Sequence, residues 1–375
     1  MIKRILYTLL IMFPVVASAQ INTDRVMAIG RNALYFEDYV LSIQYFNQVI
    51  NAKPYLSDPY FYRGLAKINL DDFQGAESDC SEAIERNPFV VSAYQVRGLA
   101  RIQQNNFAGA IEDYTKALEF APENIGVWHN MALCRIRQED YKGAKNDLDK
   151  LIAISPRYTK AYLMRGEVDL KQKDTLAAEK DFGKAIEIDR YDADTWASRA
   201  ILRLQQQRYK DAEADFDHAI RLSTRNSGVY INRALARYHQ NNLRGAMSDY
   251  DIALDIDPNN FIGHYNRGLL RAQVGDDNRA IQDFNFVIEM EPDNMMAIFN
   301  RGLLLDQTGD YKGAIKDYST VINEYPNFLL GYQYRAQARR KIGDVKGADA
   351  DEFKVLKAQL DKQNGVDPVS YTHLT

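Results

Sequence analysis

The sequence predicts an all-α solenoid of about ten helical hairpins, and three observations carry the prediction. Seven of the ten prolines, Pro54, Pro88, Pro122, Pro156, Pro258, Pro292 and Pro326, stand 34 residues or a multiple of 34 apart. On that grid one place holds only Gly or Ala in every unit, from Gly30 to Ala336, and a second holds Ala from Ala76 to Ala348. Apolar residues around these two places recur with the 3.6-residue period of two amphipathic helices. A chain of 375 residues suggests two or three domains by length alone. A fixed repeat overrides that expectation, because each unit buries its apolar faces only against its neighbours.

Taken from the start, residues 1–19 read as a signal peptide. Lys3 and Arg4 are basic, Ile5 to Val16 form an apolar run, and Ala17-Ser18-Ala19 is a small-residue cleavage site. Cleavage leaves Gln20 first. The run is too short to span a bilayer, which takes roughly 20 apolar residues, and Pro14 interrupts it. With no cysteine beside the small residues, a lipid anchor at this site is excluded, and an exported, periplasmic or secreted chain is expected without membrane insertion. Residues 20–56 form an N-terminal capping repeat, with Ser42 where Ala is the rule and Tyr45 where Asp is the rule. Residues 57–328 hold eight regular 34-residue repeats, running through Arg190 and Thr224 where proline is missing but the register is kept. Residues 329–362 are a C-terminal repeat, and 363–375 an unstructured tail whose VSYTHLT reads as an adapter or cloning remnant.

Positions are counted 1–34 within a repeat, so that Tyr94 is position 4 and Pro122 position 32. Position 4 carries Tyr60, Tyr94, Trp128, Tyr162, Trp196, Tyr230 and Tyr332, departing at Val26, His264 and Ile298. Small residues at 8 and 20 let two helices approach, while bulk at 4 and 24 fills the space beside them. Asp or Asn at 16, as in Asp72, Asn106 and Asp140, suits the start of a second helix. Proline at 32 ends it. Residues 91–124 and 227–260 share this chemistry place by place, and over residues 23–362 the pattern resembles the tetratricopeptide repeat family. The resemblance implies helix-turn-helix repeats stacked in a right-handed superhelix whose concave wall, lined by the first helices, binds protein segments.

Two further positions repeat. Position 23 is Asp from Asp79 to Asp351, and position 7 is Arg in eight repeats, among them Arg97, Arg233 and Arg267. Nine evenly spaced carboxylates raise the thought of metal binding or acid/base work. An Arg beside each one opposes a cation, so a buried Arg–Asp ladder is expected, with Arg135 serving Asp147 in the repeat where Met131 replaces the Arg. Cys80 and Cys134 occupy core positions and make no disulfide framework. None of the metal, nucleophile or nucleotide motifs is present, and the five histidines lack second ligands at metal spacing. Catalytic residues, metal and cofactor are therefore all expected to be absent.

The net charge is −4, and two units more negative once Lys3 and Arg4 are removed. That disfavours nucleic acid, whose phosphates need a basic face. A protein or peptide partner is expected instead, in the groove to which the family resemblance assigns positions 2, 5, 9, 12 and 13. The residues singled out there are Phe61, Gln95, Gln103, His129, Ile231, Tyr238, His239, Tyr265, Gln273, Phe299 and Gln307. Positions 5 and 12 are read as free of packing duty, and the recurrent Leu at 9 as either groove or packing. No repeat has the Lys-5, Asn-9 pair with which family members grip a C-terminal carboxylate. The leading reading is a non-catalytic scaffold or adaptor. A recognition arm of a longer enzyme or sensor, or a binder of cell-wall glycan, are the alternatives.

Overall fold

The computed structural model describes residues 22–222 and 225–363, and among them every regular element is a helix. Two compact units divide within one helix, after Lys184. The first holds α1 (Thr23–Tyr35), α2 (Tyr39–Ala52), α3 (Asp58–Ile68), α4 (Phe73–Arg86), α5 (Val91–Gln103), α6 (Phe107–Phe120), α7 (Ile125–Arg137), α8 (Tyr141–Ile154), α9 (Thr159–Lys171) and most of α10 (Thr175–Ile188). The second holds α11 (Ala193–Gln205), α12 (Tyr209–Arg221), α13 (Ser227–His239), α14 (Leu243–Ile256), α15 (Phe261–Gln273), α16 (Asp277–Met290), α17 (Met295–Thr308), α18 (Tyr311–Glu324), α19 (Leu329–Lys341) and α20 (Val345–Gln363). Odd and even helices are the first and second helices of the repeats. The expected signal peptide, and the tail beyond residue 363, lie outside the described residues.

The hairpin turn is made by two residues. Position 15 is left-handed in all ten repeats, at φ 59° to 63° in Glu37, Asp71, Asn105, Glu139, Lys173, Gln207 and Asn241 and 79° to 92° in Gly275, Gly309 and Gly343. This reverses the chain so that in repeat two Asp71 N–H donates to Ile68 O and Asp72 N–H to Lys67 O, which closes the first helix. The same Asp72 then caps the second helix, its Oδ1 accepting from Gly75 N–H at 2.9 Å. Asn106, Asp140, Asn242, Asp310 and Asp344 do likewise. Asp276 does not; its carboxylate pairs with Arg279 at 2.7 Å instead. A Cβ on Gly75 or Gly347 would overlap the capping carboxylate as it lies there, yet Leu41 and Ala177 hold the same place and donate to Asp38 and Asp174 at 3.1 Å, so the carboxylate can shift to admit a side chain.

The two helices pack through positions 8 and 24. A Cβ on Gly166 would come within 2.5 Å of the Phe182 ring, and one on Gly98 within 2.8 Å of Tyr114. Phe46, Tyr114, Phe182, Phe216, Phe284 and Tyr318, all at position 24, are fully buried. Cys80 and Cys134 are buried free thiols, which burial pushes up to about 12 and about 11, so they act as small core residues. Position 4 clasps the junction to the preceding repeat: Tyr60, Tyr162 and Trp128 donate to the carbonyls of Pro54, Pro156 and Pro122. His264 keeps that role, with Nε2 3.0 Å from Pro258 O, and its ring stacks on Phe286.

The ladder at 7 and 23 is present. Each of the eight Arg residues at 7 pairs with the Asp sixteen residues on, at 2.5 to 2.8 Å. Asp249, fully buried, accepts from Arg233 Nε at 2.9 Å and Nη2 at 2.6 Å, a two-pronged contact. A second cation usually joins from position 11, as Arg237 does at 2.9 Å. The third Arg nitrogen reaches back to position 25 of the preceding repeat. Arg233 Nη1 donates to Asp217, Arg267 to Asp251, Arg301 to Asn285 and Arg97 to Ser81. One guanidinium thus ties three helices. In repeat four, Arg135 Nε lies 2.7 Å from Asp147, as the Met131 replacement required. With fewer donors than its counterparts, the buried Asp147 carboxyl is pushed up to about 6 by desolvation, which Arg135 only partly offsets.

Candidate functional site

Within each unit the first helices of successive repeats touch one another: α1 with α3 and α3 with α5, then α11 with α13, α15 with α17 and α17 with α19. They form stretches of wall: α1, α3 and α5 carry Phe61, Gln95 and Gln103, α11 and α13 carry Ile231, Tyr238 and His239, and α15, α17 and α19 carry Tyr265, Gln273, Phe299 and Gln307. His129 stands on α7, the next first helix of the first unit.

The packing corrects one expectation about these residues. Position 5 lies one turn before the small residue at 8, so the ring at 24 that enters over position 8 also meets position 5. Tyr265 sits edge-on to Phe284 at 5.8 Å, and Phe299 lies 5.8 Å from Tyr318 and 5.1 Å from Phe328. Ile231, only 7% exposed, belongs to a core cluster with Ala234, Ala246 and Tyr250, against which Tyr238 also packs. Phe61 is half-buried against Tyr60, Ala83 and Ala93. Positions 5 and 12 therefore do carry packing duty. Burial also raises the Tyr265 phenol, whose oxygen accepts from Asn300 Nδ2 at 3.2 Å.

His129 is half-buried, its Nδ1 3.3 Å from the Tyr158 hydroxyl. Desolvation first, and then the charge of Lys160, hold it below the usual imidazole value, which favours the neutral ring. Gln95 is half-buried as well. The exposed members are Gln103, His239, Gln273 and Gln307, all at position 13, the last turn of a first helix. His239 stacks on Tyr209 with centroids 4.6 Å apart. One turn before two of these amides stand Leu99 and Leu269, each 39% exposed. Position 9 is thus solvent-facing in those two repeats. Half-buried Asn232, Asn266 and Asn300 stand on first helices of the second unit, and their recurrence at position 6 was a readable signal that went unused.

Among the described residues no group of His, Cys, Asp or Glu is arranged to hold a metal ion, and no helix is long and apolar enough to cross a membrane.

Tetratricopeptide repeat models match residues 91–124, 125–158, 159–192, 198–261 and 265–327, together more than half of the chain. The chain belongs to the tetratricopeptide repeat family. No curated protein matches its sequence. Among solved structures it is similar to a tetratricopeptide repeat protein from Parabacteroides merdae, at 21% identity and a TM-score of 0.52 over 66% of this chain and 98% of that one. It is also similar to a chain of the APC/C hetero-tetramer Cut9–Hcn1, at 13% identity and a TM-score of 0.52 over 77% of this chain and 57% of that one. A third structure, described as a functional characterisation of Pseudomonas aeruginosa pilF, aligns at 19% identity and a TM-score of 0.49 over 58% and 97%. At these identities the likeness concerns the fold.

Proposed function

We propose that the first-helix walls bind an extended segment of a partner protein, and that the chain works as a non-catalytic scaffold or adaptor. The observation that carries this is the exposed Leu and Gln pair one turn apart, Leu99 with Gln103 and Leu269 with Gln273, on walls where neighbouring side chains are packed. An exposed aliphatic supplies contact area, and an amide supplies both a donor and an acceptor to a peptide backbone. Tetratricopeptide repeat proteins typically mediate protein–protein contacts, which agrees with this reading. The order of residues 1–19 further supports export of the chain, with Gln20 as the mature N-terminus.

A photo-crosslinking residue placed at Gln103 or Gln273 is expected to trap a defined partner in cells. The same probe at Lys142 or Lys312, exposed on second helices, is expected to trap none. Equal yields from both helix sets would defeat the proposal. N-terminal sequencing of the protein from fractionated cells checks export, and recovery of an intact Met1 start would defeat that part.

A further inference from the structure

Within each unit the second helix of a repeat is covered by the first helix of the next. Its central apolar contact is position 28, so that Leu118, Leu254 and Ile322 are 9%, 7% and 3% exposed. Its polar contact is position 25, where Ser81, Asp217, Asp251, Asn285 and Ser319 accept from the next repeat's Arg.

Repeat ten departs from this plan. α20 runs for 19 residues, against 14 in α18, and continues through position 32, where proline ends other repeats. Leu356, at position 28, is 52% exposed; Leu360 is 48% exposed; and position 25 is no acceptor but Phe353, 66% exposed. Residues 353, 356 and 360 follow the i, i+3, i+7 spacing of one helix stripe. The face continues the repeat-to-repeat interface but presents a large exposed ring at position 25, where the other repeats have Asn, Ser, Thr, Asp or, in repeat five, Gly183. That bulk makes it a poor seat for another first helix of the same kind.

A second copy of this chain fits better. The stripe is nearly symmetric about its midpoint, close to Leu356. When two such helices cross antiparallel, Phe353 faces Leu360 of the other copy and Leu356 faces its own counterpart, the self-complementarity a two-fold interface requires. Head-to-tail pairing is disfavoured by the opposite end. On α1 the covering positions 3 and 10, buried as Ala93 and Ala100 in repeat three, are the exposed polar residues Arg25 and Asn32. We propose that the exposed face of α20 pairs antiparallel with α20 of a second molecule, making a tail-to-tail homodimer.

Sedimentation velocity of the full chain is expected to give twice the 43.0 kDa chain mass. Leu356→Asp, at an exposed site, is expected to give the monomer with unchanged helix content. Leu356→Cys is expected to form a disulfide-linked dimer on mild oxidation. Phe353→Cys is expected to do so only when mixed with Leu360→Cys, and the buried native thiols do not compete. A monomeric parent chain, a dimer that survives Leu356→Asp, or self-linking of Phe353→Cys in place of Leu356→Cys would each overturn the proposal. So would a monomer in which removal of residues 364–375 first makes the stripe accessible to a hydrophobic dye, because the chain's own tail would then be its cover.

Discussion

Replacing Arg233 with Met copies into repeat seven what repeat four already has at Met131. Arg233 is 12% exposed and makes two contacts to the buried Asp249 and one to Asp217, at 2.6 to 2.9 Å. Breaking a buried pair by removing one partner costs about 3 to 5 kcal/mol, against about 0 to 1 for an exposed pair. Arg237 still reaches Asp249 at 2.9 Å, which places the expected loss near the lower end, about 3 kcal/mol at pH 7.5. Asp249 is then served as Asp147 is, and Asp147 has its carboxyl at about 6. A folded pKa raised above the unfolded value of about 3.9 adds stability at low pH and loses it as pH rises through 6. Protonation of the less well served carboxylate at lower pH is then expected to return part of the loss, so that the deficit is smaller at pH 5 than at pH 7.5. Repeat arrays open piecewise, so the assay should pair urea unfolding followed by circular dichroism with hydrogen exchange resolved to α13 and α14. A loss below about 1 kcal/mol, or a deficit equal at pH 7.5 and pH 5, would refute the reasoning that these pairs act as buried ones.

The converse change, Met131→Arg, is expected to raise stability at neutral pH by restoring the missing partner of Asp147 and to remove the pH dependence between about 3.9 and 6; a pH series of urea midpoints checks both. Lys173→Gly and Glu139→Gly, at φ 63° and 60°, are expected to stabilise by about 0.5 to 1 kcal/mol each, since glycine bears the left-handed conformation without a Cβ clash. A lower melting temperature in either variant counts against the turn assignment. Tyr265→Ala with Phe299→Ala is expected to lower the melting temperature, because both rings pack on position 24. Leu99→Ser with Leu269→Ser is expected to leave it nearly unchanged and to weaken partner capture; the reverse pattern would exchange packing and binding roles between positions 5 and 9.

The hairpins were legible in the sequence because their determinants repeat: Gly or Ala at 8, Asp or Asn at 16 in nearly every repeat, Ala at 20 and Asp at 23 return every 34 residues. Even the exception was legible, since Met131 pointed to Arg135 as the partner of Asp147. The left-handed position 15 was readable but overlooked, in Gly275, Gly309 and Gly343 beside Asn105 and Asn241. The acceptor at 25 was harder to see, because Ser81, Asp217 and Asn285 serve one Arg contact with different residue types. For the wall, position 5 varies from Phe61 to Gln95, His129 and Ile231, and variation alone does not free a side chain from packing. A variable side chain packs just as well where its neighbour varies too, and position 24 changes between Phe284 and Tyr318 under Tyr265 and Phe299. Which side chains of a helix face emerge into solvent depends on the neighbouring turns, and the 3.6-residue period carries no information about those.

The contact from position 7 back to position 25 gives the array a joint with two unlike halves, a guanidinium plug downstream and an oxygen socket upstream. Whole repeats are therefore the natural currency of rearrangement in this chain. A unit that brings Arg at 7 can be inserted, duplicated or exchanged behind any unit that ends in Ser, Asn or Asp at 25, whatever its wall residues are. Repeats one and four, with Ile29 and Met131, bring no plug, and repeats five and ten, with Gly183 and Phe353, offer no side-chain socket. Engineered lengthening of the array would thus proceed most readily by copying internal repeats upstream of repeat ten, and appending units after it would first require the bulk of Phe353 to be removed.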